Sequence, residues 1–483
     1  MKFFILFAFL TGAHGAFAGQ DYLVKLKSDQ SVQNMILSFG GKSKVKSLNF
    51  NQWIKVNLSK EQVTALKSQP EVLHVEKNGI LKIQTNLEVF DSNLRQWAKD
   101  QIAFNPFDNG NSSGDNPPFP SEKSTRGTGS DPAFSNQWGM EDIGVEEAWQ
   151  MAGTMGNEDV IVAVIDTGVD YTHEDLVTNM WRNPGESGTD EEGNDLATNG
   201  IDDDGNGYID DHMGWDFAAD DNKPYDLAKK GFSLLLGGNP GHGTHCAGNV
   251  AARGDNGIGI AGVAPHVKIM GLRFISENGE GTTESAVNSI RYAVDNGAQI
   301  LSNSWGSEGD GGDVEASRVL QEAIEYAQDN NVLFVAAAGN GHRGVGYDND
   351  TDSRPAYPAS YDQDTILSVA ALDVEDKLGS FSNWGEKTVD IGAPGVKVFS
   401  TIPGNDYQDT VINFPPLLVA TWDGTSMSAP HVSGAAALYL SANPDATYAD
   451  LKKAIIDSAE TISSLDGKSV SNGKLNVKAM MEE

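Results

Sequence analysis

Two hydrophobic rhythms divide the chain. From Asp21 to about Gln84 the apolar runs are short and alternate with polar positions. Tyr22-Leu23-Val24-Lys25-Leu26 predicts a strand, Val32 to Phe39 a helix ending near Gly40-Gly41, and Trp53-Ile54-Lys55-Val56 a second strand. Lys60 to Ser68 has helical spacing and stops before Pro70, and Val72-Leu73-His74-Val75-Glu76 and Ile80-Leu81-Lys82-Ile83 close the unit. Strand-helix-strand-helix-strand in so short a span predicts a small α+β, ferredoxin-like sandwich. Residues 105–131 are rich in Asn, Gly, Pro and Ser without periodicity and read as a linker, while Leu87 to Phe104 is ambiguous.

Beyond Gln137 the runs lengthen. Val160-Ile161-Val162-Ala163-Val164-Ile165, Val332 to Ala338 and Ile366 to Ala371 are unbroken apolar stretches, as expected of strands covered on both faces. Helical stretches such as Glu284–Asn296 and Val314–Asp329 lie between them. Such alternation predicts an α/β fold, a mostly parallel sheet with helices on both faces. Sites in these sheets lie beyond the carboxyl ends of the strands.

Charge sharpens the division. The 483 residues hold 34 Lys+Arg against 68 Asp+Glu, a net of −34. Residues 1–83 carry 11 basic against 5 acidic residues, leaving 23 against 63 for the rest. A basic head on an acidic body is either two unrelated domains or two surfaces meant to meet. The overall sign argues against nucleic acid or an anionic membrane as partner and leaves cations as natural ligands. The single cysteine, Cys246, excludes an intrachain disulfide and a multi-cysteine zinc site.

Residues 1–18 have the order of a secretory signal: Lys2, an apolar run from Phe3 to Leu10, then Ala16-Phe17-Ala18 before a cut. The run is far short of the ~20 residues that span a bilayer. With no later stretch long enough, the product is expected to be secreted or periplasmic.

Four motifs end strands or open helices. Asp166-Thr167-Gly168 fits half of an aspartic protease dyad, an orienting carboxylate for a histidine, or a capped turn; a second such triplet for a dyad does not occur. Gly241-His242-Gly243-Thr244-His245-Cys246-Ala247-Gly248 puts a histidine where glycines permit close approach. Gly424-Thr425-Ser426-Met427-Ser428-Ala429-Pro430-His431 opens a small-residue helix, with Pro430 suited to a first turn. A hydroxyl at such an end lies beside free backbone N–H groups, which suit an oxyanion as well as a plain cap. Ala336-Ala337-Ala338-Gly339-Asn340 brings an amide to the end of a strand.

Together these motifs closely resemble the subtilisin-like serine proteases, whose order Asp…His…Ser the chain shares. The resemblance runs from about Gln137 to Gly473-Lys474-Leu475-Asn476-Val477, so that 132–483 is expected to be the catalytic domain. It implies that Asp166, His242 and Ser426 form a triad and that Asn340 donates to the oxyanion. It implies that Ser304-Trp305-Gly306, with Ala338 and Gly339, lines the substrate, by main-chain pairing of low side-chain selectivity. Trp305 as plain core is the alternative. It implies too that residues 19–84 are a propeptide, inhibitor and folding chaperone, with self-cleavage between Thr85 and Asp131. The whole would be a monomeric zymogen acting on protein or peptide substrates.

Calcium is expected as the stabilising ion. Asp202-Asp203-Asp204-Gly205-Asn206-Gly207 opens like an EF-hand loop, giving Asp202, Asp204, Asn206, the Tyr208 carbonyl and Asp210 as ligands, although Met213 stands where a full loop has Glu. Asp175 with Arg253–Gly259 resembles a further calcium site of the family. Asp348, Asp350 and Asp352 either favour basic side chains, bind calcium or are solvated charges. A different class of answer is a catalytically silent, calcium-binding secreted structural or adhesion protein on this fold.

Overall fold

The computed structural model describes residues 19–39, 45–83, 131–307, 317–414 and 418–482. Residues 1–18, expected as a secretory signal, Gly40-Gly41, and residues 84–130, which hold nearly all of the expected linker and cleavage region, lie outside the described residues.

Alternation in the head gives an antiparallel sheet. Strands β1 (Gln20–Leu26), β2 (Val45–Ser47), β3 (Trp53–Leu58) and β4 (Val72–Lys77) lie in the order β2-β3-β1-β4, with helices α1 (Asp29–Ser38) and α2 (Lys60–Lys67) between them in sequence. Ser28 caps α1, and Ser59 forms a reciprocal capping box with Gln62 on α2. One pleat, with Val24, Leu26, Ile54 and Val56, packs on Val32, Met35 and Leu66; the other turns Leu23 and Trp53 to the body. Strand β2, three residues long, is too short for periodicity to show. Strand β5 (Ile80–Ile83) corrects the sequence reading: instead of closing the head sheet it pairs entirely with the body.

In the body, helices α3 (Trp138–Asp142) and α4 (Val145–Ala152) precede β6 (Ile161–Asp166), α5 (His242–Ala251), β7 (Lys268–Arg273), β8 (Glu280–Thr282) and α6 (Thr283–Asp295). Then come β9 (Ile300–Asn303), β10 (Trp305–Gly306), α7 (Arg318–Asp329), β11 (Leu333–Ala337), β12 (Ile366–Leu372) and β13 (Ile391–Pro394). Two hairpins follow, β14 (Ser400–Ile402) with β15 (Asp406–Gln408), and β16 (Thr410–Phe414) with β17 (Leu418–Thr421). The chain ends with α8 (Thr425–Ala442), α9 (Tyr448–Asp457), β18 (Glu460–Thr461), β19 (Gly473–Lys474) and α10 (Val477–Met480).

The main sheet runs β18-β19-β13-β12-β11-β9-β6-β7, parallel except for its β18 edge. Unbroken apolar strands result because each pleat enters a different core. Val162 and Val164 of β6 pack with the helices α5 and α8, whereas Ala163 and Ile165 pack with α6 and α7. Helix α7 runs from Arg318, capped by Ser317; Val314, where the sequence places its start, lies outside the described residues.

The head seats on α6 and α7. Lys25 and the Trp53 indole donate to Glu322 at 2.6 and 3.0 Å, Lys55 pairs with Glu284, and Lys46 reaches Asp220 at 3.3 Å. Glu76 accepts from the Ser317 hydroxyl and the Arg318 N–H, both at 2.8 Å, and Asn78 Oδ1 accepts from the Glu284 N–H. Both helix starts are thus capped by the head, and the opposite charges seen in the sequence do meet.

Candidate active site

Asp166 ends β6 beyond the carboxyl edge of the sheet, where sites are expected in this architecture. Helix α5 begins with His242, and its glycines set its position: a Cβ on Gly243 would lie 2.1 Å from the Gly168 carbonyl. That approach lets His242 Nδ1 meet Asp166 Oδ1 at 2.7 Å, with both side chains fully buried. Asp166 Oδ1 also accepts from the Thr167 N–H at 2.7 Å. Burial alone pushes the imidazole down, but the adjoining Asp166 carboxylate outweighs it and holds His242 well above its ordinary value. His242 Nε2 has no partner among the described residues.

Ser426 lies in the first turn of α8, packed against α5. Its hydroxyl donates to the Ser304 carbonyl at 2.8 Å, and its own carbonyl accepts from the Ser304 hydroxyl at 2.9 Å. The Cys246 thiol lies 3.5 Å from that carbonyl and 3.9 Å from His242 Nδ1, so one sulfur touches both residues. Pro430 is the sixth helical residue, not part of the first turn as the sequence suggested. Lacking an N–H, it gives the Ser426 carbonyl no intrahelical donor, so that oxygen is available to Ser304 and Cys246.

Asn340 follows β11, and Thr425 fixes its amide by the oxygen, through N–H and hydroxyl both at 3.0 Å. Gly339 donates to Thr425 Oγ1 and has a φ of +108°; a Cβ there would meet Asn383 at 2.6 Å. The Ala338 carbonyl accepts from Asn349. Trp305 places its indole in the core against Phe274 and Phe334, so only its backbone can line a groove. That backbone is engaged: Trp305 pairs with Ile83 and Gly306 with Lys82, while Leu81 on the opposite edge pairs with Gly281 of β8. The head's own segment therefore lies as the middle strand of an antiparallel three-stranded sheet, reaching the Ser304–Gly306 stretch beside Ser426.

The expected metal residues separate into groups. Carboxylate oxygens of Asp202, Asp204 and Glu186 all lie within 4.8 Å of one another. Glu186 was missed in sequence because it precedes the loop by a whole turn region; it is fully buried, Oε1 accepts from the Asp203 N–H, and Oε2 has no partner among the described residues. Burial pushes Glu186 up to about 7. Asn206 donates to Asp204 and Asp211, and the Tyr208 ring packs with Trp215, Phe217 and Tyr292. Asp210 turns away: its carboxylate accepts from the Gly200 N–H. Asp175, raised to about 7 by burial, accepts from Ile260 N–H and Asn256, and Asp131 accepts from the N–H groups of Asp255 and Asn256. Asp348, Asp350 and Asp352 cap turns of their own loop and of Lys387-Thr388.

Parallel sheet, strand-end carboxylate and buried imidazole define a hydrolase-type site on a subtilisin-like frame. The model of the subtilase family matches residues 157–477, and the chain belongs to that family of serine proteases. It is similar to thermitase of Thermoactinomyces vulgaris, 33% identical over 70% of this chain and 93% of thermitase. It is 34% identical to a thermophilic serine proteinase of Bacillus sp. (strain AK1) and to fervidolysin of Fervidobacterium pennivorans, each over 68% of this chain but only 62% and 41% of those proteins. Among the described residues no helix is long and apolar enough to cross a membrane.

Proposed function

We propose that this chain is a secreted or periplasmic serine endopeptidase, made as a zymogen that its own head inhibits. The observation that carries the reading is the buried Asp166–His242 bond beside Ser426 at the start of α8. Ser426 gives up its bond to Ser304, passes its proton to His242 Nε2 and attacks the peptide carbonyl; His242 then returns the proton to the leaving amine. Asp166 keeps the imidazole in the tautomer with Nδ1–H and stabilises the imidazolium. The Asn340 amide, held by Thr425, and the Ser426 N–H receive the oxyanion. The acyl-enzyme is then hydrolysed by water along the same route.

Strand β5 supports the zymogen reading, because it uses the backbone edges of β8 and β10 that an extended substrate needs. Self-cleavage then falls shortly beyond Ile83. Calcium fits the 183–213 region: the oxygen donors of Glu186, Asp202 and Asp204 suit a hard cation, and Glu186 Oε2 is a buried acceptor lacking a donor among the described residues. At Asp175 both carboxylate oxygens already accept hydrogen bonds, from Asn256 and the Ile260 N–H, so the calcium proposal is confined to the 183–213 region.

A fluorophosphonate tests the function. We expect stoichiometric labelling of Ser426, with labelling and turnover both lost in Ser426→Ala. A folded wild-type protein that neither labels nor hydrolyses peptides would favour the catalytically silent calcium-binding reading instead.

A further inference from the structure

Asp226 is a fully buried carboxylate that the mechanism above leaves unused and that belongs to no sequence motif. Its surroundings are specific. Oδ1 accepts from the Thr167 hydroxyl at 2.9 Å and from Asn239 Nδ2 at 2.5 Å; Oδ2 accepts from the Thr244 N–H at 2.9 Å and the Thr244 hydroxyl at 2.7 Å. Neither hydroxyl has freedom in this arrangement. Thr167 Oγ1 already takes the Gly243 N–H, and Thr244 Oγ1 takes the Asp170 N–H, so both O–H groups are directed at the carboxylate. Four donors converge on two oxygens, which offsets the desolvation of the charge.

These donors come from the two elements that hold the dyad. Thr167 is covalently next to Asp166. Thr244 is the third residue of α5, two beyond His242, and Asn239 Oδ1 in turn binds the N–H groups of Gly241 and His242, both at 2.8 Å. A negative group at this end of α5 also complements the helix dipole. We infer that Asp226 is a positioning residue that fixes the loop after β6 to the start of α5 and so sets the Asp166–His242 geometry. The inference rests on the serine-protease reading.

An asparagine here keeps the shape but turns one NH2 toward two donors whichever way its amide faces. In the self-processed enzyme, with active sites counted by fluorophosphonate, Asp226→Asn should lower kcat by about 10- to 100-fold, the scale of a small misplacement of catalytic groups. KM should stay within about twofold, and the far-downfield proton signal of His242 Nδ1–H should shift or broaden. Thr167→Val cuts the link on the Asp166 side and with it the acceptor of the Gly243 N–H, and should lower kcat with KM kept, with Thr167→Ser restoring it; combined with Asp226→Asn, Thr167→Val should cost less than the product of the separate effects. If Asp226→Asn does not fold, Thr167→Val decides by the same measures. Unchanged kcat in a correctly titrated variant, or an effect confined to KM or to melting temperature, overturns the inference. Failure of the wild type to label or turn over would strike the protease reading itself, not the role of Asp226.

Discussion

Ser426 is held by its neighbours more than by its helix. The missing N–H of Pro430 leaves its carbonyl to Ser304 and Cys246, while its hydroxyl rests on the Ser304 carbonyl. Asn340 shows the same dependence, since Thr425 decides which way its amide faces. Replacing Asn340 by leucine should cost about 2.7–4 kcal/mol of transition-state stabilisation, read in kcat with little change in KM. Cys246 is wholly buried, and burial pushes its thiol up, so it is an inert packing group rather than a nucleophile. Its sulfur is nonetheless 3.9 Å from His242 Nδ1, and mercuric ion should inactivate the enzyme by displacing that imidazole. Full turnover with Cys246 demonstrably mercurated would refute this. His245 and His431, pushed down to about 3 and about 4 by burial, are neutral and do not compete as bases.

At the scale of elements, the segment from Asn183 to Met213 shows what the sequence could and could not convey. Asp202 and Asp204 are recognisable by spacing, because ligands at alternate positions of one loop leave a local pattern. Glu186 is not, since it approaches through the tertiary fold; Asp210 keeps the spacing yet bends to cap Gly200. A calcium ion held there, at about a hundredfold above its Kd, would contribute about 2.7 kcal/mol. Chelation should therefore lower the melting temperature by several degrees, and Glu186→Gln should shrink the chelator-sensitive part while leaving kcat intact in excess calcium. A melting curve indifferent to chelator rejects the ion. The same contrast holds for the fold. The strands β6, β11 and β12 were legible because burial on both faces gives unbroken apolar runs; β2 is too short, and the partner of β5 lies some 200 residues away. For the candidate active site, Asp166, His242, Asn340 and Ser426 carry recognisable local sequence, whereas the roles proposed for Asp226 and Thr425 rest on contacts that only the folded chain makes.

For the molecule as a whole, the basic head and acidic body form one interface, and its ion pairs should make head release faster at high salt. Protons act there as well. Burial pushes Glu76 from its ordinary 4.5 up to about 7, despite its bonds to Ser317 and Arg318 and with Glu322 adding in the same direction. Docking therefore takes up a proton, and affinity falls as pH rises through about 7. His74, 3.2 Å away, is pushed down by burial and by Lys67 and Arg318, so it acts in the opposite sense, but only below its ordinary 6.5. Inhibition of the processed enzyme by a peptide of residues 19–84 should thus weaken between pH 6.5 and 8, and Glu76→Gln should flatten that dependence. An inhibition constant that is level across this range for the unaltered peptide would disprove it. Strand β5 has one more effect. While it sits between β8 and β10, two short edges that would otherwise display unpaired backbone groups are covered, and such edges are templates for joining one chain to another. On the zymogen reading, a newly made population of this protein should thereby be spared both self-digestion and edge-to-edge clumping, with solubility at high local concentration served by the same four residues.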